Sequence, residues 1–334
     1  MQVSSYPDLL SYTRRNRTTA QIRDRLQTAS EEAVTGLKAD MTAATKGDLG
    51  QAHLLKKAQS DIEQSQQINT LSKSRLNLVS GALTNTLETI DNIDSRAIIA
   101  LHAENVFGTD AIISEARASI ENIMSALSVR HGERNLFSGD QTDAPTFEDA
   151  DVLLSDIEGL ISSAPDTASA LTAIDDYFSD GGDFETRIYQ GGDGNAPLLP
   201  IGNGRSLQVP VSGSHESIKD VLKGLAIMAT AKNALPAGDK ESFNTLVTNG
   251  ASSITQATNG LVKLEAEIGI LNQSLETASK QNESEAIALS TAFQNLFGRD
   301  QYEAAAELQQ LQVQLEASYA ITARLSNLTL TNYL

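Results

Sequence analysis

Apolar residues in this chain recur at steps of three and four over long distances. Leu76, Val79, Leu83, Ile90, Ile93, Ala97 and Ala100 keep one heptad frame, with Thr86 as its single polar member, and Leu55, Ala58 and Ile62 extend that frame upstream. Such a run predicts a helix of about 50 residues, ~75 Å long at 1.5 Å per residue, whose narrow apolar stripe must face another helix. Over 110–129, Ile112, Ala116, Ile120, Ile123 and Leu127 mark one face of a shorter helix that folds back on the first. Nearer the C-terminus, Ile254, Ala257, Leu261, Leu264, Ile268, Leu271, Leu275 and Ala278 hold the heptad without exception. The frame then slips by one residue before Ala286, Leu289, Phe293 and Leu296, the spacing of a stutter that locally unwinds a supercoil. A last helix is signalled after Gly298, with Asp300 as its N-cap and Leu308, Leu311, Leu315, Thr322 and Leu325 along one face.

Proline divides the chain. The seven prolines stand at 7, 145, 165, 197, 200, 210 and 236, leaving 8–144 and 237–334 free of the residue that breaks helices by lacking a donor and crowding the preceding turn. Between those stretches, Ile157, Leu160 and Ile161, then Leu171, Ile174, Tyr177 and Phe178, predict two short helices. Strand-like pieces are expected over 184–190 and 206–211, separated by the Gly-rich turns 191–195 and 202–204. Helix returns near Ser217, where Ile218, Val221, Leu222, Leu225 and Met228 recur. The expected fold is mainly α: a long antiparallel helical coiled coil formed by the N- and C-terminal regions, with a small α+β domain inserted in the middle. The expected segments are 1–47 and 299–334 as terminal helices, 48–140 and 216–298 as the halves of a helical rod, and 141–215 as the insertion.

Composition narrows the function classes. With 40 % hydrophobic residues but only 4 % aromatic and no Trp, the chain is short of the large side chains that line deep ligand clefts. A formal charge of −18 opposes nucleic-acid and anionic membrane surfaces. The excess acid is concentrated: residues 140–214 hold 14 Asp/Glu against Arg187 and Arg205, whereas residues 1–40 carry six basic and five acidic groups. That acidic middle reads as a solvated surface. Without Cys there is no thiol nucleophile, disulfide or zinc thiolate. No stretch reaches the ~20 continuous apolar residues of a membrane span, and the N-terminus lacks the basic-then-apolar layout of a cleaved secretory signal, so membrane insertion is not expected.

Nothing nominates a catalytic, cofactor or metal site. His53, His102, His131 and His215 have no ligand spacing, and no nucleotide-binding or nucleophile-elbow motif occurs. The Asp-Gly turns at 180–183 and 191–195 lack a distal bidentate Glu, so they read as turns rather than calcium loops. Asp175 and Asp176 are adjacent on a helix and point to different sides, a poor catalytic pair. The remaining question is where the terminal apolar stripes are buried. Ile22, Leu26, Ala29, Ala33 and Gly36 form one seam, and Leu328 and Leu330 give the last helix a greasy end. Each seam needs either the other terminus or another copy of the chain.

Three segments carry a resemblance. The stretch Leu26-Gln27-Thr28-Ala29-Ser30-Glu31-Glu32-Ala33-Val34-Thr35-Gly36-Leu37-Lys38, the final helix from Asp300 through Tyr319, and the tail Leu328-Thr329-Leu330-Thr331-Asn332-Tyr333-Leu334 resemble the flagellin and flagellar hook-associated family. Lys38-Ala39-Asp40-Met41-Thr42 departs from the family pattern. Arg134-Asn135-Leu136-Phe137-Ser138-Gly139, with Ala144-Pro145-Thr146-Phe147 after it, resembles the family's hook–filament junction members more than the filament formers. The resemblance implies a secreted, self-assembling structural subunit of the bacterial flagellum, without enzymatic activity, whose termini order on assembly. Its implied partners are copies of itself, a neighbouring hook-associated protein, filament flagellin and an export chaperone. The seams then nominate Ile22, Leu26, Ala29, Ala33, Leu308, Leu311, Leu315, Leu325, Leu328, Leu330 and Leu334 as the assembly interface, with the face of Leu311 and Leu315 open in the isolated chain. Two alternatives remain: a filament flagellin, and a secreted binding module or enzyme on helical stalks with 145–215 as its working part.

Overall fold

A computed structural model describes residues 6–44, 49–102, 106–192, 198–202, 204–236 and 238–331. The elements are α1 (Tyr6–Thr35), α2 (Met41–Ala44), α3 (Leu49–Ile90), α4 (Ile93–His102), α5 (Val106–Leu127), the hairpin β1 (Arg130–His131) and β2 (Arg134–Asn135), α6 (Ala150–Ser163) and α7 (Thr167–Phe178). A π-helical turn, Phe184–Ile188, precedes the hairpin β3 (Leu199–Pro200) and β4 (Ser206–Leu207), followed by α8 (Glu216–Ala234), α9 (Lys240–Phe297) and α10 (Gln301–Thr331). The chain forms two units, residues 64–282 and residues 1–63 with 283–334.

In the unit of residues 64–282, the two long seams face each other. Lys73 bridges to Glu276 at 2.7 Å, Thr84 donates to Glu265 at 2.9 Å, and Thr255 donates to Asp94 at 2.9 Å, so residue numbers fall on one helix as they rise on the other. The pairing is antiparallel. Leu76, Val79, Leu83, Thr86 and Ile90 are buried on α3, as are Ile254, Ala257, Leu261, Leu264, Ile268 and Leu275 on α9. Thr86 satisfies its hydroxyl by donating to the Ala82 carbonyl at 2.9 Å, which is why one polar residue is tolerated in the stripe. Asn282 fills the slot between Ala278 and Ala286 where the heptad slips, and it too is buried.

The expected 50-residue helix is divided. α3 spans 42 residues and stops at Ile90, because Asn92 adopts φ 59°, a left-handed conformation that Asn tolerates better than most residues. Ile90 and Ile93 are buried on both sides of the break, so the apolar face continues where the backbone does not. α5 carries its predicted face, Ile112 through Leu127, into the same core and packs against α4 and α8. α8 is buried nearly all round. Gly224 and Gly250 let α8 and α9 approach closely: a Cβ on Gly224 would lie 2.6 Å from the Gly250 carbonyl oxygen, and one on Gly250 would lie 2.7 Å from that of Gly224.

The insertion is held by α6, α7 and an aromatic cluster. Phe178 and Phe184 stack at 5.0 Å, and Phe147 lies 6.4 Å from Phe184 and 6.2 Å from Tyr189. The strand expected over 184–190 is instead a helical turn, with Phe184 and Ile188 buried four residues apart, followed by a single bridge from Tyr189 to Phe147. The apolar spacing there is four, not two, which is the physical reason for the difference. The strand expected over 206–211 shortens to Ser206–Leu207; Pro210 has no N–H to donate to a ladder. The hydrophobic core runs without interruption from this segment into α5, α8 and α9.

The motif 134–147 is a polar clasp. Asn135 donates to the carbonyls of Ala144 (2.6 Å) and Thr142 (3.2 Å), the Ser138 hydroxyl reaches the Ala144 oxygen at 3.1 Å, and Tyr189 donates to the Phe137 carbonyl at 3.2 Å. Phe137 is fully buried beneath it. Lys219 on α8 is buried as well, and holds Asp180 at 2.8 Å and Glu185 at 2.9 Å. Burial alone would pull its ammonium down, but these bonds outweigh burial and leave it raised.

Candidate assembly interface

The unit of residues 1–63 and 283–334 is built on α1 and α10. Gly36 ends α1 at φ 67°, and the chain then crosses to the C-terminal segment through a bridge between Leu37 and Gly298. The Lys38 amide donates to the Phe297 carbonyl at 2.8 Å, and the Arg299 amide donates to that of Gly36 at 2.9 Å. Asp300 caps α10 as expected, accepting from the amides of Tyr302 (2.8 Å) and Glu303 (3.3 Å). From that anchor the helices run antiparallel: Arg25 donates to Glu307 at 2.9 Å, the hydroxyls of Thr19 and Ser318 share a bond of 2.8 Å, and Arg23 donates to the Tyr319 hydroxyl at 2.8 Å. Arg299 draws Glu32 (3.4 Å), Glu303 (3.4 Å) and Glu307 (3.1 Å) together at the base of the pair.

The terminal seams therefore meet within one chain. Ala29 (3 % exposed), Ala304 and Leu311 (2 %) are buried, and Ile22, Leu26, Ala33, Leu308 and Leu315 are half-buried. The expectation that the Leu311 face is open in the isolated chain does not hold, because each seam finds its partner in the other terminus. Leu325, Leu328 and Leu330 lie on the last turns of α10, and Leu334 lies outside the described residues.

Counting heptads misses what remains exposed. Tyr302 (91 %), Val34 (80 %), Val313 (65 %), Leu10, Tyr12 and Ile321 stand on α1 and α10 with their side chains in solvent. The signal is present in the sequence: each is a large apolar residue, and all but Tyr12, which stands two heptads before Leu26, lie outside the frame of the seam. Isolated exposed apolar residues are ordinary, and Leu54, Ile99, Ile270 and Ile287 are as exposed elsewhere, but Tyr302 and Val34 on this helix pair are the most exposed of the described large apolar residues.

Among the described residues no group of three or more His, Asp or Glu could hold a metal ion, and no helix is long and apolar enough to cross a membrane. A cavity of about 530 Å³ is lined by residues that include Leu101, Asp110, Lys232, Leu235 and Phe243, which lie outside 145–215. Of the ionic residues in its wall, Lys232 and Asp110 are bound to each other, and Asp239 and Lys240 line it as well.

Residues 251–334 match the family described as the bacterial flagellin C-terminal helical region, so the C-terminal quarter of the chain, including α10 and most of α9, is of flagellin type. Several solved structures share the fold, two of them as follows. FlgL of Bacillus cereus superposes with a TM-score of 0.51 at 19% identity, covering 72% of this chain and 98% of its own. A putative flagellar hook-associated protein from Vibrio parahaemolyticus gives 0.50 at 12%, covering 72% and 93%. No curated protein matches the sequence. The chain is thus a mainly α protein that shares the fold of these two structures, and its residues 251–334 match the flagellin C-terminal helical region.

Proposed function

We propose that this chain is a structural, non-enzymatic subunit of the bacterial flagellum that joins hook to filament, outside the cell, by self-assembly through its paired terminal helices. The observation that carries the proposal is the set of exposed apolar side chains on α1 and α10: Tyr302, Val34, Val313, Leu10, Tyr12 and Ile321 lie on a helix pair whose own seam is already closed. Burying such side chains stabilises by roughly 1.5–3 kcal/mol each, and an array of copies does so repeatedly. Copies of the chain, a neighbouring hook-associated protein and filament flagellin are the proposed neighbours, with an export chaperone covering the termini before assembly. Support for the junction role comes from the likeness to structures titled FlgL and hook-associated protein, and from the 134–147 clasp.

The test is electron microscopy of cells lacking the native protein and supplied with this chain or with none. Filaments attached to hooks are expected in the first and bare hooks in the second. Filaments made of this chain along their whole length would instead make it a filament flagellin, and attached filaments in its absence would overturn the proposal.

A further inference from the structure

In a chain carrying 43 acidic residues, two arginines of the unit 64–282 line one cavity with no acid among its described lining residues. Arg75 on α3 and Arg134 on β2 line one small cavity, about 60 Å³, walled by Leu76, Val79, Leu136 and Val209. The Nε of Arg75 is buried with no hydrogen-bond partner. Among the described residues neither guanidinium has a carboxylate within ion-pair distance, nor do the exposed Arg130 and Arg205, whereas Arg96 and Arg187 each hold one. Burial first and the neighbouring Arg134 charge second depress the Arg75 pKa. Such an arrangement costs stability unless an anion relieves it.

We propose that Arg75 and Arg134 form an anion site that takes a carboxylate carried on an apolar stem. The cavity is large enough for a few water-sized groups and no more. Its walls are aliphatic, which suits the methylenes of a Glu-like side chain, and the two guanidiniums offer the planar, forked donors that a carboxylate accepts. The −18 charge of the whole chain opposes a polyanion far more than an anion of one or two charges. Two sources share this chemistry: a free dicarboxylic acid, and an acidic side chain of a second copy, whose residues 140–214 hold 14 carboxylates, some of them, such as Asp180 and Glu185, already paired within the chain.

The test is an NMR titration of the full-length chain labelled with ¹⁵N-arginine, following the Arg75 Nε–H resonance, identified by its absence in Arg75→Lys. Glutarate is expected to move that resonance saturably. Sodium chloride at matched ionic strength is expected not to, and Arg134→Gln, at an exposed position, to weaken the response about tenfold. A shift on adding unlabelled chain without glutarate identifies a second copy as the source; a shift with glutarate alone identifies a free acid. No saturable shift with either probe, or an unchanged glutarate titration in Arg134→Gln, overturns the site.

Discussion

Arg25 on α1 and Glu307 on α10 meet at 2.9 Å, and the second carboxylate oxygen of Glu307 lies 3.1 Å from Arg299. One acid thus ties α1, α10 and the turn between α9 and α10. The Arg25 side chain is nevertheless mostly in solvent, so the contact sets register more than it holds the pair together. Glu307→Ala is expected to lower stability by less than about 1 kcal/mol in chemical denaturation. A loss of several kcal/mol would mean that charge, rather than the seam, joins the helices.

The seam itself carries the larger energy. Leu311 is buried, at 2 % exposure, and truncating a buried Leu costs about 2–5 kcal/mol. Leu311→Ala is expected to separate α1 from α10 and to speed amide exchange over 6–35 and 301–331, while the core of residues 64–282 melts unchanged. Unaltered exchange in those helices would show that the intramolecular pairing is not what buries Leu311.

The wild-type terminal helices are expected to be cleaved before the rest in limited proteolysis. Their shared core is thin, and Ala29, Ala304 and Leu311 supply little apolar area compared with the continuous core of the other unit. Equal resistance along the chain would contradict this.

His215 gives the fold a pH dependence. Its ring Nδ1 accepts from the Ser217 amide at 3.2 Å and caps α8, a bond available only when that nitrogen is unprotonated. Burial first lowers its pKa; Glu216 and Glu267 oppose the shift and Lys219 adds to it. The unfolded chain therefore takes up a proton near pH 6.5 while the folded chain resists, so stability is full above that pH and is lost as pH falls through the depressed folded value. Melting temperatures should drop below about pH 6.5 in the native chain, and less steeply in His215→Asn, which keeps a capping side chain. Identical slopes would show that His215 does not set the pH dependence.

Much of the fold is legible in the amino-acid pattern alone. The stripes Leu76 to Ile90 and Ile254 to Leu275 are buried because a 3.5-residue apolar repeat leaves a helix no other way to pack. The break at Asn92 is hidden, because a single residue with φ 59° does not disturb the apolar spacing on either side. Phe184 to Ile188 resembles a strand in its residue types, although its four-residue apolar step already argues for a turn of helix. The terminal seams are plain in the sequence, but not which partner each takes, since pattern alone does not distinguish the other end of the same chain from a second molecule. The exposed residues Tyr302 and Val313 escape notice because attention to a repeat discards whatever lies outside it.

Assembly through the outer surface of the terminal helix pair is tested most directly by combining Val313→Asp with Tyr302→Asp. Both side chains are exposed, so the isolated protein should keep its circular-dichroism melt within about 0.5 kcal/mol of wild type. Placing carboxylates where copies bury apolar area would cost several kcal/mol per subunit. Cells producing the double variant in place of the native protein should export it normally yet show hooks without attached filaments. Filaments attached as in wild type would contradict the claim that this surface is where the subunits join.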